Sequence, residues 1–468
     1  MNNKINKISE EIEFGFSFIV SVLFAIGYFC DCFNLMITLE FILIILIFCQ
    51  CFLRRNYLVF LFLAIFLFFQ MNRIFLDFFN LTDEKWYRGY IGDYFDNNIQ
   101  KHLLLCYYLV LYGLFLSLFV HIRNWKKHTR SFVYFSSYKI NIQISYLLCI
   151  LFLIPSILQN LLAVEHVMTY GYFDYYKNFK PPYILTILSG MSYIFIFCYL
   201  SITKKLHKLF IFFYVVNFIT SLLIGSRKDF VLYLLLLLFY LWNTKNSFSF
   251  KKIIKMLIPV FCLFMFLFYV GFKRQNAVKD IKKYKTNPIV LFLDLQGVSI
   301  VVPGYEKKYE AVIPKKGIAY LFPNQIKMIT NLLGTTIDKS NRKRSALEGF
   351  YISQFISYKV LGDRFVIGEG LGGCFISDIY YCFSYLGVFF YSFLLGIFMR
   401  RFEKSKKNSL SYVVVLSCVY NLLYIPRSQA FDIFIQITSV KFWFSIIFFF
   451  LFIEIVKKQV SKKVLTKN

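Results

Sequence analysis

The stretch LFIFFYVVNFITSLLIGSRKDFVLYLLLLLFYLW, residues 209–242, decides the fold. It contains two apolar runs joined by a short polar turn, GSRKDF (225–230). Each run approaches the roughly 20 residues that a membrane-spanning helix needs. Because lipid offers no hydrogen-bond partner, each run must satisfy its backbone amides within its own segment, and this predicts two antiparallel α-helices.

The same pattern recurs along the whole chain, for example in FGFSFIVSVLFAIGYFC (14–30). The chain is 58% hydrophobic and 17% charged, whereas soluble domains are about 45–50% apolar and about 25% charged. These values predict an all-α, polytopic membrane helix bundle with about twelve transmembrane helices. The helices are predicted at 14–32, 34–53, 56–79, 102–122, 141–164, 183–202, 207–225, 229–243, 254–272, 375–399, 409–426 and 433–456.

This segmentation divides the chain into three parts. Residues 1–272 contain helices one to nine, 273–374 form one large outer loop, and 375–468 contain helices ten to twelve with a tail. Within the loop, IVLFLDLQGVSIVV (289–302) is apolar but too short to span comfortably. It predicts a short interfacial helix or a re-entrant segment.

Lysine and arginine set the orientation, because cytoplasmic loops carry an excess of both. The basic loops alternate with the others and include RNWKKHTR (123–130), TKKLHK (203–208) and the tail, so both termini are predicted in the cytoplasm. Part of the net charge of +28 thereby reflects topology and indicates membrane lipid as a partner, not nucleic acid. The 11 cysteines form no C-x-x-C pair, which argues against a zinc site and a disulfide framework. No metal or cofactor is predicted.

A glycine-rich stretch, GEGLGG (368–373), fits the dinucleotide fingerprint G-x-G-x-x-G. That fingerprint needs a strand before it and a βαβ unit around it, whereas an apolar run long enough to cross a bilayer follows here, so we exclude NAD binding. Gly368, Gly370, Gly372 and Gly373 would let the backbone approach a ligand, and the next helix would point its positive N-terminus at an anion. The alternative is a loop entry in which the glycines serve close packing.

Three arginines fall at the same outer boundary: Arg227 in GSRKDF, Arg364 in GDRF (362–365) and Arg427 in YIPRSQAFD (424–432). Guanidinium groups bind phosphate oxygens in a fork geometry and stay charged when partly desolvated. The three arginines therefore suit a lipid-linked diphosphate. Each could instead snorkel to the interface or bind a lipid headgroup.

Candidate acids and bases on the outer side include Glu165 and His166, at the end of the fifth helix, and Asp378. Glu165 and His166 are adjacent and hence on different helix faces, so we do not interpret them as a dyad. Aromatic residues crowd two outer segments, 83–96 and 170–183. They fit either an interfacial belt or a sugar-binding surface, since a ring packs on the apolar face of a pyranose.

Four motifs in order along residues 220–435 resemble a known family. They are the GSR turn, the outer-loop stretch VIPKKGIAYLFPNQI (312–326), the pattern G-x-G-L-G-G-x-x-I-x-D-x-Y-x-x-F-x-x-L-G from Gly368, and an outer arginine before the last helix. Together they resemble the oligosaccharide repeat unit polymerases, the O-antigen polymerase or Wzy family.

The resemblance implies a glycosyltransferase of the bacterial inner membrane with its active face in the periplasm. It would move a growing glycan from undecaprenyl diphosphate onto a new lipid-linked repeat unit, without a nucleotide sugar or an obligatory metal. Arg227, Arg364 and Arg427 would bind diphosphate, and the loop 368–373 would shape that site. Asp378 would activate the acceptor, where the family often has glutamate. A chain-length regulator and a flippase are the implied partners.

Two other functions stay open. An O-antigen ligase would share the architecture, but a resemblance to the ligases would imply a histidine in the large outer loop, and residues 273–374 contain none. A flippase for lipid-linked oligosaccharides, or another transporter, would need charged groups along a midplane cavity. The few candidates for such groups are Glu40, Arg73, Asp77 and Lys441.

Overall fold

The computed structural model describes residues 2–120, 139–171, 174–175, 178–203, 205–224, 227–244, 288–332, 342–405 and 409–465. Within those ranges the backbone forms helices and loops and no named strand, and an isolated β-bridge joins Arg88 to Tyr94. The predicted all-α class is confirmed.

The helices are labelled here in chain order. They are α1 Asn2–Phe29, α2 Phe33–Arg54, α3 Tyr57–Phe66, α4 Asn72–Phe78, α5 Asn97–Phe119, α6 Lys139–Tyr170, α7 Tyr183–Ile202, α8 Lys208–Ile224, α9 Arg227–Thr244, α10 Pro288–Gln296, α11 Val301–Tyr309, α12 Pro323–Leu332, α13 Arg342–Glu348, α14 Ile352–Leu361, α15 Phe375–Glu403, α16 Leu410–Leu422 and α17 Val440–Leu465. One turn of π-helix, Leu67–Met71, called the π-turn below, joins α3 to α4. A 3₁₀ turn, Gly297–Ile300, joins α10 to α11.

Eight helical stretches in the described part of the chain are long and apolar enough to cross a membrane. They are Phe33–Arg54, Tyr57–Phe78, Asn97–Phe119, Asn141–Tyr170, Tyr183–Ile202, Ile289–Val312, Phe375–Glu403 and Leu410–Arg427. The predicted helix 254–272 lies outside the described residues, so the count of twelve stays a prediction. The last helix begins at Val440, seven residues later than predicted, because the 3₁₀ turn Asp432–Phe434 and further turns precede it.

One of these stretches, Ile289–Val312, was predicted from its apolar core to be too short to span. The structure extends it to 24 residues by continuing through the 3₁₀ turn into α11. Polar contacts hold it along its length: Asn72 Nδ2 donates to the carbonyl of Leu293 at 2.8 Å, and Lys308 pairs with Asp93 at 2.7 Å. The same stretch supplies two residues of the site described below.

Contacts divide the chain into two compact units. Unit 1 contains Met1–Arg123, Gln275–Glu403 and Ile425–Asp432. Unit 2 contains Asn124–Arg274, Lys404–Tyr424 and Ile433–Asn468. In unit 2, α6 packs against α7 and α8, and the Asn160 amide donates to Asn217 on α8 at 3.2 Å.

In unit 1, α5 packs against α15 and α2. Small residues bring the first two of these helices together: Gly113 of α5 faces the backbone of α15, and Gly396 of α15 faces Ser117 of α5. Close backbone approach strengthens dispersion contacts between helices that lipid would otherwise solvate equally well. This pairing fixes α15, and therefore the loop that leads into it.

Replacing Gly113 by alanine is expected to destabilise unit 1. The added Cβ would lie 2.7 Å from the Phe389 carbonyl oxygen and 2.9 Å from the Phe393 amide nitrogen, both backbone atoms. Overpacking of this kind costs about 1–3 kcal/mol and would lower the unfolding temperature of the purified protein in detergent. Gly15→Ala is the matched control, since its Cβ would meet nothing within 4 Å. Equal unfolding temperatures for the two variants would contradict this packing.

The π-turn Leu67–Met71 shapes the end of unit 1 that carries the site. A π-turn inserts an extra residue into a helix and often occurs at functional sites. Here it packs against the 3₁₀ turns Gly297–Ile300 and Ile425–Arg427. The buried amide of Gln70 donates to the carbonyl of Pro426, which ties the turn to the segment that carries Arg427.

Candidate functional site

The glycine-rich loop forms one wall of the site. Gly368 and Gly372 adopt φ values of +126° and +88°, a backbone region that disfavours residues with a side chain. The amide of Leu371, between them, donates to the Ser357 hydroxyl at 3.1 Å and fixes the loop to α14. The loop follows the single helical turn Asp363–Val366 and leads directly into α15, with no strand before it.

Arg427 lies against this loop. A Cβ added to Gly372 would lie 3.8 Å from the Arg427 Nε, so the guanidinium occupies space that a side chain would fill. The guanidinium stacks over the Phe69 ring at 5.3 Å, and its Nη1 donates to Gln296 Oε1 at 3.5 Å. Within the described ranges, no carboxylate pairs with it. Arg427 therefore keeps its charge and part of its hydrogen-bonding fork for an anion.

Asp378 meets the same segment from the first turns of α15. It is 3% exposed, and its Oδ2 accepts a hydrogen bond from the Ala430 amide at 3.1 Å. The Tyr391 hydroxyl donates to the carbonyl of Ala430. The loop 425–432 thereby carries Arg427 and also anchors the buried carboxyl group. Of the residues predicted from sequence, the structure brings together Arg427, Gly372, Gly373 and Asp378.

A polar clamp from the large loop holds the segment that carries Arg427. Asn324, at the start of α12, donates to Asp432 Oδ1 at 2.6 Å and to Gln429 Oε1 at 3.2 Å. Its own amide oxygen accepts from the Tyr351 hydroxyl at 2.8 Å. Burial and the nearby charge of Asp432 raise the pKa of Tyr351 to about 12, so the phenol stays a donor at neutral pH. Asn324 lies in the VIPKKGIAYLFPNQI stretch, which explains structurally why that stretch accompanies Arg427.

Sequence reasoning missed Glu306, which we now add to the site. This residue of α11 is fully buried where α11 packs against α5, α14 and α15. Neither of its oxygens makes a well-formed hydrogen bond within the described chain, although Ser377 and Asp378 lie close enough to act on its carboxyl group. Glu306 was missed because it lies in the charged cluster EKKYE (306–310), which was interpreted as a basic, solvent-exposed segment. The apolar run before it could have indicated that this glutamate is buried.

Arg364 lies at the start of the glycine loop but has a partner of its own. It pairs with Glu369 at 2.7 Å, and its side chain is 54% exposed. Its guanidinium also stands over the Tyr90 ring at 5.9 Å. The ion pair with Glu369 occupies part of the Arg364 guanidinium, which was predicted from the sequence to bind a diphosphate.

The other predicted residues belong to unit 2. His166 Nε2 lies 2.9 Å from Asp174 Oδ2, and the side chain of the adjacent Glu165 is exposed, so the two do not pair with each other. Arg227 is the first residue of α9, and its side chain lies outside the description. Acid–base roles for Glu165 and His166, and a phosphate-binding role for Arg227, stay predictions.

Together these features define a class. The chain is an all-α, multi-pass membrane protein with a candidate polar site around Arg427 and the glycine loop, and its described residues contain no cluster of three or more metal ligands. A family model for the O-antigen polysaccharide polymerase Wzy matches residues 12–460, nearly the whole chain. The chain therefore belongs to this polymerase family. Neither the curated proteins nor the solved structures give a match.

Gly372→Ala is expected to distort the glycine loop and lower the polymerising activity. Alanine strains a backbone with φ of +88°, and its Cβ would contact the guanidinium of Arg427. We expect a destabilised loop and a severalfold loss of polymer in membranes from cells expressing the variant. Gly370→Ala is the control, because its Cβ would lie 3.9 Å from the Ser357 hydroxyl and its φ is not in the left-handed region. An equal loss of polymer in both variants would show that the loop tolerates a side chain at neither position. The effect of Gly372→Ala would then not be due to its contact with Arg427.

Proposed function

We propose that this protein polymerises oligosaccharide repeat units linked to undecaprenyl diphosphate into O-antigen or a related surface polysaccharide. The reaction would take place at the periplasmic face of the inner membrane, with both termini in the cytoplasm. A flippase would supply the lipid-linked repeat units, and a chain-length regulator would act as a further partner. The observation that carries this proposal is the contact of Arg427 with the glycine loop, on the same segment that anchors Asp378.

The chemistry of glycosyl transfer fits these groups. The acceptor hydroxyl attacks the anomeric carbon of the donor glycan, and the bond from that carbon to the diphosphate oxygen breaks. The bonding electrons leave with the diphosphate, and the hydroxyl proton goes to a base. Diphosphate is already a good leaving group, so the protein has to stabilise its charge and remove one proton.

Arg427 and the start of α15 supply the positive potential. A guanidinium can bind two phosphate oxygens at once, and a helix N-terminus adds a partial positive charge. Gly372 and Gly373 let the backbone and a phosphate approach each other without side chains between them. Asp378 is the base in this proposal, because a buried carboxylate anchored by one hydrogen bond retains a second oxygen for the acceptor proton.

The banding pattern of lipopolysaccharide on a gel tests the proposal. Three strains are compared: the source bacterium, a strain deleted for this gene, and the complemented deletion. We expect the ladder to collapse to core plus a single repeat unit on deletion and to return on complementation. Loss of the single repeat as well would favour a ligase or a flippase, and an unchanged ladder would contradict a role in O-antigen synthesis.

A further inference from the structure

A cavity lies in unit 1, lined by none of the residues of the Arg427 site. It opens between the start of α2, the end of α4, the loop 80–87 and the start of α5. Its volume is about 730 Å³, within the range of roughly 300–1,000 Å³ that small-molecule sites occupy. We call it the α2–α5 cleft.

The charges in the α2–α5 cleft cancel. The carboxylate and the ammonium group that line it, from Asp77 and Lys85, pair with each other at 3.0 Å. Asp77 also accepts the amide hydrogen of Trp86 at 3.1 Å, so its carboxylate is already occupied. Hydrogen bonding to Asp77 raises the pKa of Lys85, so the lysine stays charged at neutral pH. An anion or a cation therefore gains little here, in contrast to the setting of Arg427.

Neutral polar groups line the rest of the cleft. Asn34, Asn80 and Asn97 are exposed, and their side-chain amides make no hydrogen bond within the described chain. Each amide offers two donor hydrogens and an acceptor oxygen, which matches a ligand whose hydroxyls both donate and accept. Asn80 adopts φ of +53°, a conformation that asparagine tolerates better than most residues.

Aromatic rings complete the lining. Phe33, Phe78 and Tyr87 are each half-buried, so one part of each ring packs on the protein while another faces the cleft. The apolar C–H face of a pyranose can pack on such rings while its hydroxyls reach the amides. Few other water-soluble ligands combine an apolar face, many hydroxyls and no charge.

We propose that the α2–α5 cleft binds an uncharged segment of an oligosaccharide. The inference rests on the proposed function in one respect: the segment would belong to a lipid-linked repeat unit. Asp77 in the cleft and Phe69 beneath Arg427 lie on the one helical stretch Tyr57–Phe78, separated by roughly 12 Å of helix rise. The cleft would thus hold sugars while Arg427 holds the diphosphate.

Direct binding to the full-length protein in detergent micelles tests this proposal. The probe is the phosphate-free oligosaccharide of one repeat unit, released by mild acid from the lipid-linked precursor and titrated by calorimetry, with empty micelles as the blank. The variant Asn34→Ala combined with Asn97→Ala removes two amides, and we expect at least about tenfold weaker binding. Asn98→Ala is the matched control, because Asn98 is exposed beside Asn97 and does not line the cleft.

Each outcome decides between the alternatives. Binding that survives in the double variant but weakens in Arg427→Ala would place the sugar at Arg427 and overturn the proposal. Absence of binding to the unmodified protein, or equal binding to the empty micelles, would also overturn it. The gel ladder of the deletion strain is read separately, so the polymerase proposal can fail while oligosaccharide binding persists, and the reverse.

Discussion

Arg427→Ala should abolish the polymer ladder while leaving the protein in the membrane. Arg427 contacts the glycine loop at Gly372, and no described carboxylate neutralises it, whereas Arg364 at the same loop is paired with Glu369. Removing one preorganised donor to a developing negative charge lowers a catalytic rate by about 100- to 1,000-fold. The assay is polymer formation from a synthetic lipid-linked repeat unit by membranes that contain the variant.

Two further substitutions separate charge from geometry. Arg427→Lys should retain part of the activity, because an ammonium supplies the charge but cannot form the two-point contact of a guanidinium. Arg364→Ala should lose less activity than Arg427→Ala, because the guanidinium of Arg364 is already paired with Glu369. Arg344→Ala is the matched control: Arg344 is 59% exposed and pairs with Glu348 on α13. If Arg427→Ala were as active as Arg344→Ala, Arg427 would not bind the leaving group.

Asp378→Asn should lower the rate by about 100- to 10,000-fold, the usual effect of removing a general base. Asparagine has nearly the same shape and can still accept the hydrogen bond from the Ala430 amide through its own oxygen. The loop 425–432 should therefore remain in place, and only the capacity to take a proton is lost. Single-turnover polymerisation in the same membrane assay measures this effect.

The companion variants test the assignment of Asp378 as the base. Asp378→Glu should recover part of the rate, since it restores a carboxylate on a chain longer by one methylene. Asp363→Asn is the control, because Asp363 is exposed in the turn before the glycine loop. Comparable amounts of folded protein on size-exclusion chromatography exclude simple misfolding. Near-normal activity of Asp378→Asn would assign the base to another group, and Glu306 would be tested next because it is the other buried carboxyl group at this site.

Helix positions could be predicted well from the sequence. The predicted helices 34–53, 56–79 and 183–202 match α2, the stretch Tyr57–Phe78 and α7 to within one residue at each end. Hydropathy over a window of about 20 residues is a local property, so no tertiary contact is needed to detect such helices. The same hydropathy window failed for Ile289–Val312, because the charged residues near the end of this stretch, Lys307 and Lys308, lower its hydropathy but are paired with carboxylates in the structure.

The candidate site was predicted only in part. Arg427 and Asp378 were found because charged residues are uncommon within or beside apolar segments, and the glycine loop was found because its G-x-G-x-x-G spacing is visible in the sequence. Gln296, Gln70 and Asn324, which hold Arg427 and its segment, were missed. A lone glutamine or asparagine becomes informative only when its hydrogen-bond partner is known, and these partners lie about 100 or more residues away in sequence.

The amino-acid sequence by itself determined that this protein is an all-α membrane protein, where most of its described helices run, and which motifs accompany its family. Backbone amides in lipid must be satisfied within each segment, so composition alone imposes that outcome. Only the tertiary structure decided that Arg427 faces Gly372, that Asp378 meets Ala430, that Glu306 is buried beside them, and that a neutral cleft opens between α2 and α5. These contacts join residues far apart in the chain, and they depend on how closely the helices pack, which small residues such as Gly113 permit.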